Sequence, residues 1–455
     1  MKVIVLGSSH GGYEAVQALL STYSQVKIQW YEKEVIDPLV IEKSTKSSGK
    51  DMNDTPSIYG LTFDELKQRG VDIFENTEII RIQPVSHIVK IKDHISGKVW
   101  EESYDKLILS PGSYPSVQTI PGNDLKNIGT MSDRKDIIKV KKKAEDAAVK
   151  DVVIVGTGYI GIGAAQVFFE AGKNVTVIDI NNRPLSSYLD KELTDVIEKE
   201  LTKRQIVQAM PDKVIKFLGD EYGNVKKVVT KKGVYPADLV IMSIGNSPNT
   251  AWLEDAVELL PNGRIKTDEY MRTSAIDIFA IGDATTVPYG PNKIPMNLSL
   301  ATNARRQAHY AVKNLKEAKH PFPSMQGSSA MQAFGYKFAT VGLTEKLAKR
   351  MSIDIKSAYW EQNKLMDSTF STENQTRVMF KLIYDPRTLE ILGGQIMSKD
   401  DLTANINAIS LAIQMRSTIE QLAYADFFFQ PGFSTPWNVM NMAALKALGQ
   451  ENKFF

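Results

Sequence analysis

Apolar residues in the first two thirds of the chain form short runs that end at a glycine. Three such runs, each followed directly by glycine, occupy residues 3–6, 152–155 and 278–281. The first run is followed by helical periodicity at residues 13–20 and a further apolar run at 26–31. The second is followed in the same way by helical periodicity at residues 164–171 and an apolar run at 174–179. The order strand, tight turn, helix, strand is typical of parallel sheets wound with right-handed crossovers. Because it recurs after about 150 residues, the pattern predicts two such α/β domains.

The pattern changes from about residue 323 onward. Strand-like runs at 378–384 and 391–397 precede a helical stretch at 402–415 and an aromatic cluster at 424–429. Strands and helices that follow one another in separate groups predict a third domain, of the α+β class.

Composition is that of an ordinary globular protein and argues against several other classes. The chain has 455 residues, of which 43% are hydrophobic and 24% charged, and this length predicts about three domains. Its 55 basic and 53 acidic residues leave a net charge of +2, which indicates neither nucleic acid nor an anionic membrane as partner. No apolar run reaches the roughly 18 residues of a membrane-spanning helix, so we expect a cytoplasmic protein.

The chain contains no cysteine. This excludes disulfides, thiolate metal sites and any thiol or sulfenic-acid redox centre within these residues. The five histidines lie far apart in the sequence, at His10, His87, His94, His309 and His320. Because they lack the spacing of a metal-ligand set, we expect no metal site.

The clearest chemical motif spans residues 156–161, with the sequence GTGYIG. Gly156 permits a tight turn, Gly158 lets the backbone approach a pyrophosphate, and Gly161 lets the helix pack on the strand. The helix N-terminus attracts the negative charge of the phosphates. Asp179, 18 residues beyond Gly161, ends the next strand, where a carboxylate accepts hydrogen bonds from a ribose diol and repels a 2′-phosphate. The motif predicts a site for NADH rather than NADPH.

A second, less regular motif spans residues 7–12, with the sequence GSSHGG, and has Ser9 where the second glycine is usual. Serine is small enough for the backbone to reach phosphates, and Glu32 at the end of the next strand supplies the ribose acceptor. Two adjacent sites imply two dinucleotides, with FAD in the first, NADH in the second and hydride passing between them. The stretch 273–284, a predicted buried strand that ends in Gly-Asp, supports FAD because Asp283 would accept hydrogen bonds from the ribityl hydroxyls.

In combination these motifs resemble the pyridine nucleotide-disulfide oxidoreductase family, and most closely its NADH peroxidase and NADH oxidase branch. The similarity extends over essentially the whole chain and includes residues 2–12, 104–112, 157–162, 248–253 and 401–410. It implies non-covalent FAD, hydride transfer from NADH, and association through the C-terminal domain into a homodimer or homotetramer. The predicted domains are an FAD-binding domain at 1–120 and 246–322, an NAD-binding domain at 121–245, and a dimerisation domain at 323–455.

The motifs and the resemblance together give the candidate site residues. For FAD these are Gly7, Ser9, His10, Gly11, Gly12, Glu32, Lys33, Ser110, Gly112, Asp283 and Ala301. For NADH they are Gly156, Gly158, Tyr159, Ile160, Gly161, Asp179, Tyr188 and Gly245. The candidate catalytic residues are His10 and Glu42.

Three candidates have two interpretations each, and both are kept. By resemblance, His10 is the histidine that serves a cysteine sulfenate and peroxide near the flavin, but it would equally cap the helix or meet the FAD phosphates. Tyr159 would cover the nicotinamide pocket and move aside for NADH, or it would only pack. Glu42 would act as a general base whose pKa is raised beside a flavin, or it would be a solvated loop residue.

Three positions depart from what the resemblance implies. Glu42 stands where this branch has its redox-active cysteine, and without that sulfur neither the peroxidase cycle nor four-electron reduction of oxygen to water has a redox centre. Gly163 replaces a glutamate that helps hold the nicotinamide carboxamide. Ser132 replaces an arginine that contacts the flavin.

The sequence therefore predicts a two-electron NADH oxidase that uses FAD and releases hydrogen peroxide, without cysteine-based peroxidase activity. One alternative is an NADH-dependent reductase of another acceptor, such as a quinone, a dye or a protein carrier. A second alternative is a non-catalytic FAD-binding paralogue. Residues 427–429 and Trp437 are expected in the dimer interface, because aromatic side chains dominate such contacts.

Overall fold

The computed structural model describes residues 1–36, 61–116, 120–131, 134–364, 376–430 and 433–451. The chain divides into two compact units. The first contains residues 1–114, 246–289 and 293–325, and the second contains residues 115–245, 290–292 and 326–455. The boundaries of the three predicted domains stay a prediction.

A five-stranded parallel sheet is the centre of the first unit. Numbered along the whole chain, its helices and strands are β1 (Lys2–Leu6), α1 (His10–Thr22), β2 (Lys27–Tyr31), α2 (Phe63–Gln68), β3 (Val71–Phe74), β4 (Thr77–Gln83), β5 (Ile88–Asp93), β6 (Val99–Ser103), β7 (Lys106–Leu109), β8 (Ser113–Pro115, at the boundary), β17 (Asn246–Pro248), β18 (Ile278–Ala280), β19 (Val287–Pro288), β20 (Pro295–Met296) and α6 (Ala301–Lys313). The sheet order is β3, β2, β1, β7, β18. The winding reverses at β1, and ligands bind outside the carboxyl ends of strands at such a point.

The second unit combines a parallel and an antiparallel sheet. Its helices and strands are β9 (Ile128–Thr130), α3 (Arg134–Glu145), β10 (Asp151–Val155), α4 (Tyr159–Glu170), β11 (Asn174–Ile178), α5 (Lys191–Lys203), β12 (Val207–Ala209), β13 (Val214–Gly219), β14 (Val225–Thr230), β15 (Val234–Pro236), β16 (Leu239–Met242), β21 (Ser329–Ala333), β22 (Tyr336–Gly342), α7 (Glu345–Arg350), β23 (Lys356–Asn363), β24 (Arg377–Tyr384), β25 (Ile391–Ser398), α8 (Ile406–Gln414), α9 (Ile419–Ala423) and α10 (Val439–Ala447). The parallel sheet has the order β12, β11, β10, β16, β9, and the antiparallel sheet has the order β21, β22, β25, β24, β23.

The buried strands explain the continuous apolar runs in the sequence. Val3, Ile4 and Val5 of β1 are fully buried, as are Val153 and Ile154 of β10. A parallel sheet with both faces covered has no polar side, so its central strands are apolar without alternation. The two predicted parallel α/β sheets and the α+β character of the C-terminal part are confirmed.

Within the second unit the parallel and antiparallel sheets share one hydrophobic core. Ile162 and Phe168 of α4 belong to the same buried cluster as Phe338 of β22 and Met397 of β25. The C-terminal part is thereby fixed against the helix that follows the GTGYIG motif.

Two predicted elements are shorter than expected. The helix predicted at 402–415 begins at Ile406, because Asp401 accepts hydrogen bonds from the backbone and side chain of Thr403, at 3.2 and 2.7 Å, and starts a 3₁₀ turn instead. The strand predicted from residue 273 is restricted to β18, since the backbone of Thr273 turns back to bond Ile278 at 2.9 Å. In the part of the chain that the structure describes, no helix has the length and apolarity to cross a membrane.

Candidate functional site

Both glycine motifs begin where three parallel strands end together. In the first unit Leu6 of β1 pairs with Tyr31 of β2 and Leu109 of β7. The residues that follow these strands, Glu32 and Ser110 among them, therefore meet Gly7 at one edge of the sheet. The second unit repeats this register, because Val155 pairs with Ile178 and Met242.

In the first motif, Gly7 and Gly12 are required by the fold itself. Gly7 has φ +94°, and a Cβ added there would lie 2.1 Å from the carbonyl oxygen of Ser110. A Cβ at Gly12 would lie 1.8 Å from the carbonyl oxygen of Gly7. Gly11 is also crowded, since its Cβ would lie 2.7 Å from Oγ of the buried Ser110. Close approach of α1 to β1 and β7 therefore depends on these glycines.

Ser9 replaces glycine without backbone strain. It is the N-cap of α1 with φ −74° and ψ −168°, nearly the values of Gly158 at the N-cap of α4, which are −73° and −169°. Any L-residue adopts these angles. Ser9 is exposed and its side chain makes no capping hydrogen bond, so its hydroxyl lies at a helix N-terminus that favours anions.

In the second motif the three glycines differ in how much space a side chain would have. A Cβ at Gly156 would lie 2.2 Å from the carbonyl oxygen of Ser243, and one at Gly161 would lie 1.9 Å from that of Gly156. At Gly158, by contrast, the nearest atom to a Cβ would be Cε2 of Tyr188 at 3.7 Å, an ordinary contact. The protein's own packing therefore does not demand glycine at position 158.

The two predicted ribose acceptors are held by local donors. Glu32 accepts from the backbone N–H of Ser8 at 2.8 Å. Asp179 Oδ2 accepts from the backbone N–H and the hydroxyl of Thr157, both at 2.7 Å. Asp179 Oδ1 accepts from the backbone N–H and the side-chain amide of Asn181, at 2.8 and 2.9 Å. Because each carboxylate oxygen accepts about two hydrogen bonds, a ribose hydroxyl that binds Asp179 must displace one of its side-chain donors, the Asn181 amide or the Thr157 hydroxyl.

His10, at the first position of α1, has a buried ring nitrogen without a partner. Its Nδ1 makes no hydrogen bond within the described ranges. Burial lowers the pKa of His10, and the positive charge of Arg305 lowers it further, against the opposing effects of Asp283 and Glu14. The imidazole is therefore neutral near pH 7, and Nδ1 is available to a bound molecule.

Asp283 lies in a 3₁₀ turn after β18, at Gly282–Ala284. It accepts a hydrogen bond from the Ser113 hydroxyl at 3.0 Å. The guanidinium of Arg264 interacts electrostatically with Asp283, and burial lowers the pKa of this arginine. The turn is fixed from behind, since the Gln307 side-chain carbonyl accepts the N–H of Gly282.

The remaining candidates of the first unit make fewer contacts with the glycine motif. Ala301 is the exposed first residue of α6, and Gly112 has φ +68° with open space around it. Lys33 is ion-paired with Glu78 at 2.8 Å, and its side chain is 60% exposed. The structure thus brings Gly7, Glu32 and Ser110 together at one edge but turns Lys33 to a neighbouring carboxylate.

Tyr159 is packed rather than open to solvent. Its ring stacks on Tyr188 with centroids 3.9 Å apart, and its hydroxyl lies 2.9 Å from Oγ of Ser329. Burial raises the pKa of both tyrosines. Ile160 beside it is 42% exposed, and Gly245 has φ +101° in open space. Both interpretations of Tyr159 are compatible with this packing, and movement of the ring for NADH stays a prediction.

Comparison with known proteins decides the family. The model for pyridine nucleotide-disulphide oxidoreductases matches residues 1–308, and that for their dimerisation domain matches residues 329–440. The chain belongs to the pyridine nucleotide-disulphide oxidoreductase family. This confirms the predicted family and class of enzyme, an FAD-dependent NADH oxidoreductase with a dimerisation domain.

Similar members of the family include NADH oxidases. An NADH oxidase of Enterococcus faecalis is 38% identical over 448 residues, which are 98% of this chain and 99% of that protein. The structure of the water-forming NADH oxidase from Lactobacillus brevis bound to NADH has a TM-score of 0.89 and 30% identity, and the match covers 100% of this chain and 99% of that one. An engineered water-forming NADPH oxidase bound to NADPH has a TM-score of 0.90, with the same identity and coverage.

Two of the positions at which this family member departs from the expected pattern, Glu42 and Ser132, lie outside the described residues. The third, Gly163 in α4, has room for a side chain, since a Cβ there would lie 3.6 Å from Cε of Met331. Among the residues described, no cluster of three or more His, Asp or Glu side chains is arranged to hold a metal ion.

Sequence reasoning missed several residues that shape these sites. Ser243, Asn181, Arg264 and Lys346 carry hydrogen bonds or charge beside the predicted motifs. Asn181 lies two residues beyond Asp179, so its short polar side chain after a strand was a usable signal. Lys346 offered none, because it is brought to the motif from a distant part of the chain.

Proposed function

We propose that this protein is an FAD-dependent NADH oxidase that reduces dioxygen to hydrogen peroxide. The observation that carries the proposal is the absence of cysteine from all 455 residues of a chain that belongs to this family. Without a thiolate, no side chain can cycle between sulfenic acid and thiol. Bound FAD supplies the redox chemistry, so that NADH, a proton and dioxygen give NAD⁺ and hydrogen peroxide.

The first unit fits FAD in three respects. The tight approach of Gly7 and Gly12 leaves the N-terminus of α1, with Ser9 exposed, ready for a pyrophosphate. In our proposal Glu32 binds the adenosine ribose and Asp283 the ribityl hydroxyls. The buried Nδ1 of His10, which has no partner among the residues that the structure describes, supplies a hydrogen bond to the bound flavin cofactor.

The second unit fits NADH at residues 156–161. The loop at Gly158 would admit a methyl group without a clash, and a phosphate would use the same space at the N-terminus of α4. Ile180 is 71% exposed beside Asp179, and this apolar surface would cover one face of the adenine. The stacked Tyr159 and Tyr188 would separate when the nicotinamide half enters, with Ile160 and Gly245 along its path.

The assembly that we propose is a homodimer, with a tetramer as the alternative, in the cytoplasm where NADH is the reductant. The C-terminal domain exposes Tyr424, Phe428 and Phe433 at 59, 74 and 68%. Aromatic side chains exposed together are typical of an interface. Phe427 and Trp437, also predicted there, are partly buried against the core of their own domain.

Product analysis tests the proposal. Protein loaded with FAD is mixed with NADH in air, and NADH, oxygen and peroxide are followed together. We expect one oxygen consumed and one peroxide formed per NADH, and catalase should return half of the oxygen. Two NADH per oxygen without peroxide would contradict the proposed product. Rapid turnover with quinones or dyes and negligible oxygen uptake would favour the reductase, and no oxidation of NADH at all would favour a non-catalytic protein.

A further inference from the structure

Helix α7 of the C-terminal part brings a lysine to the predicted NADH motif. The ammonium of Lys346 donates to Asn181 Oδ1 at 2.5 Å and to Ser186 Oγ at 3.0 Å. Both partners come shortly after β11 and Asp179, and Asn181 is hydrogen-bonded to that carboxylate. The lysine is therefore separated from the predicted ribose acceptor by a single side chain.

Lys346 is held in place yet accessible. The residue is exposed, while the neighbouring Glu345 is ion-paired at 2.7 Å with Lys381, whose side chain is only 1% exposed. The backbone N–H of Glu345 also donates to Asp190 at 3.0 Å. These contacts with two buried side chains fix the start of α7, so the ammonium is positioned before any nucleotide arrives.

Lys346 and Asp179 bring opposite charges to the same place beside the motif. Burial lowers the pKa of Lys346, and the charge of Asp179 raises it. A dianionic 2′-phosphate on the adenosine ribose would be repelled by Asp179 and attracted by Lys346. Lysine binds phosphate as a point charge. The Asn181 amide, which donates to Asp179 until a ribose displaces it, and the Ser186 hydroxyl are donors that would turn to the phosphate oxygens.

We propose that Lys346, Asn181 and Ser186 form a subsite for the 2′-phosphate, through which this enzyme accepts NADPH as a second hydride donor. The inference rests on the proposed function, since it requires that NADH bind at residues 156–161. It adds to the expectation drawn from Asp179 alone, because Lys346 in the C-terminal part carries a charge opposite to that of Asp179. NADH remains the better hydride donor, and the lysine reduces the difference in affinity between NADH and NADPH.

Binding of the oxidised nucleotides tests this without turnover. The Kd values of NAD⁺ and NADP⁺ are measured by calorimetry on the FAD-loaded protein, its Lys346→Ala variant and a Lys349→Ala control. Lys349 is exposed on the same helix, so the control removes the same charge. We expect Lys346→Ala to weaken the binding of NADP⁺ about 10-fold and that of NAD⁺ less than about 2-fold. Lys349→Ala should change neither Kd. Lys346→Arg should retain NADP⁺ binding.

The outcomes separate the two claims. If Lys346→Ala weakens the binding of both nucleotides equally, or lowers the melting temperature without changing the ratio of the two Kd values, the lysine only stabilises the fold and the subsite is refuted. NAD⁺ binding with no measurable NADP⁺ binding by the native protein also refutes the subsite but leaves the proposed function intact. Failure of NAD⁺ itself to bind refutes the proposed function, and the subsite with it.

Discussion

Alanine substitutions at three glycines of α4 and its N-cap would separate what the fold requires from what the nucleotide requires. An added Cβ would lie 1.9 Å from the nearest atom at Gly161, 3.6 Å at Gly163 and 3.7 Å at Gly158. The first distance is a severe overlap with a carbonyl oxygen, whereas the other two are ordinary contacts. The three variants add the same methyl group within six residues of one another.

The magnitudes follow from these distances. In Gly161→Ala the helix must move by about 1 Å to relieve the overlap, and overpacking of this kind costs about 1–3 kcal/mol or more of the free energy of unfolding. Gly163→Ala should gain about 0.5–1 kcal/mol, because alanine is the better helix former. Gly158→Ala should change stability by less than about 1 kcal/mol at an N-cap. It should nonetheless weaken NADH at least about 10-fold, since its methyl group takes the space of a phosphate.

Denaturant unfolding and NAD⁺ calorimetry on the FAD-loaded variants give both quantities. Gly161→Ala is expected to lose stability and NAD⁺ binding together, and Gly163→Ala to lose neither. The reasoning about Gly158 is refuted if its alanine variant binds NAD⁺ as tightly as the native protein does, or if it unfolds as easily as Gly161→Ala.

Three further predictions use other parts of the molecule. Gly163→Glu should tighten NADH several-fold, by up to the roughly 1–3 kcal/mol of one charged hydrogen bond, as measured by titration; unchanged affinity would rule out a carboxamide contact there. Phe428→Glu should shift the protein from dimer to monomer in sedimentation, whereas Val85→Glu, at a site 101% exposed in the first unit, should not; a persistent dimer would contradict the aromatic interface. Burial raises the pKa of Asp190 to about 6, so its contribution to stability falls as pH rises from about 4 to 6. The melting temperature of Asp190→Asn relative to the native protein should therefore rise over that range, and a constant difference would exclude this titration.

The glycine motifs could be predicted because their information is local. Strand, turn and helix follow one another within residues 3–20, and the replacement of glycine by Ser9 is harmless because its backbone angles suit any residue. In each unit the parallel register then places the acidic residue, Glu32 or Asp179, directly after the strand that pairs with the one leading into the glycine motif. Sequence spacing alone is sufficient for these inferences.

The rest depends on contacts between distant segments. Lys346 reaches Asn181 across 165 residues, and Tyr159 reaches Ser329 across 170. No local pattern encodes such pairs. Helix α8 begins later than its apolar periodicity suggests, because the carboxylate of Asp401 accepts the backbone N–H of Thr403 at that point and competes with the helical hydrogen bonds.

Anaerobic titration with NADH tests most directly whether the flavin is the sole store of electrons in this chain. The FAD-loaded protein is titrated in the absence of oxygen while the flavin absorbance is followed. If no sulfur centre exists, one NADH per FAD bleaches the flavin completely, with no earlier phase in which NADH is consumed without bleaching. A requirement for two NADH per FAD would reveal a second redox centre and contradict the account.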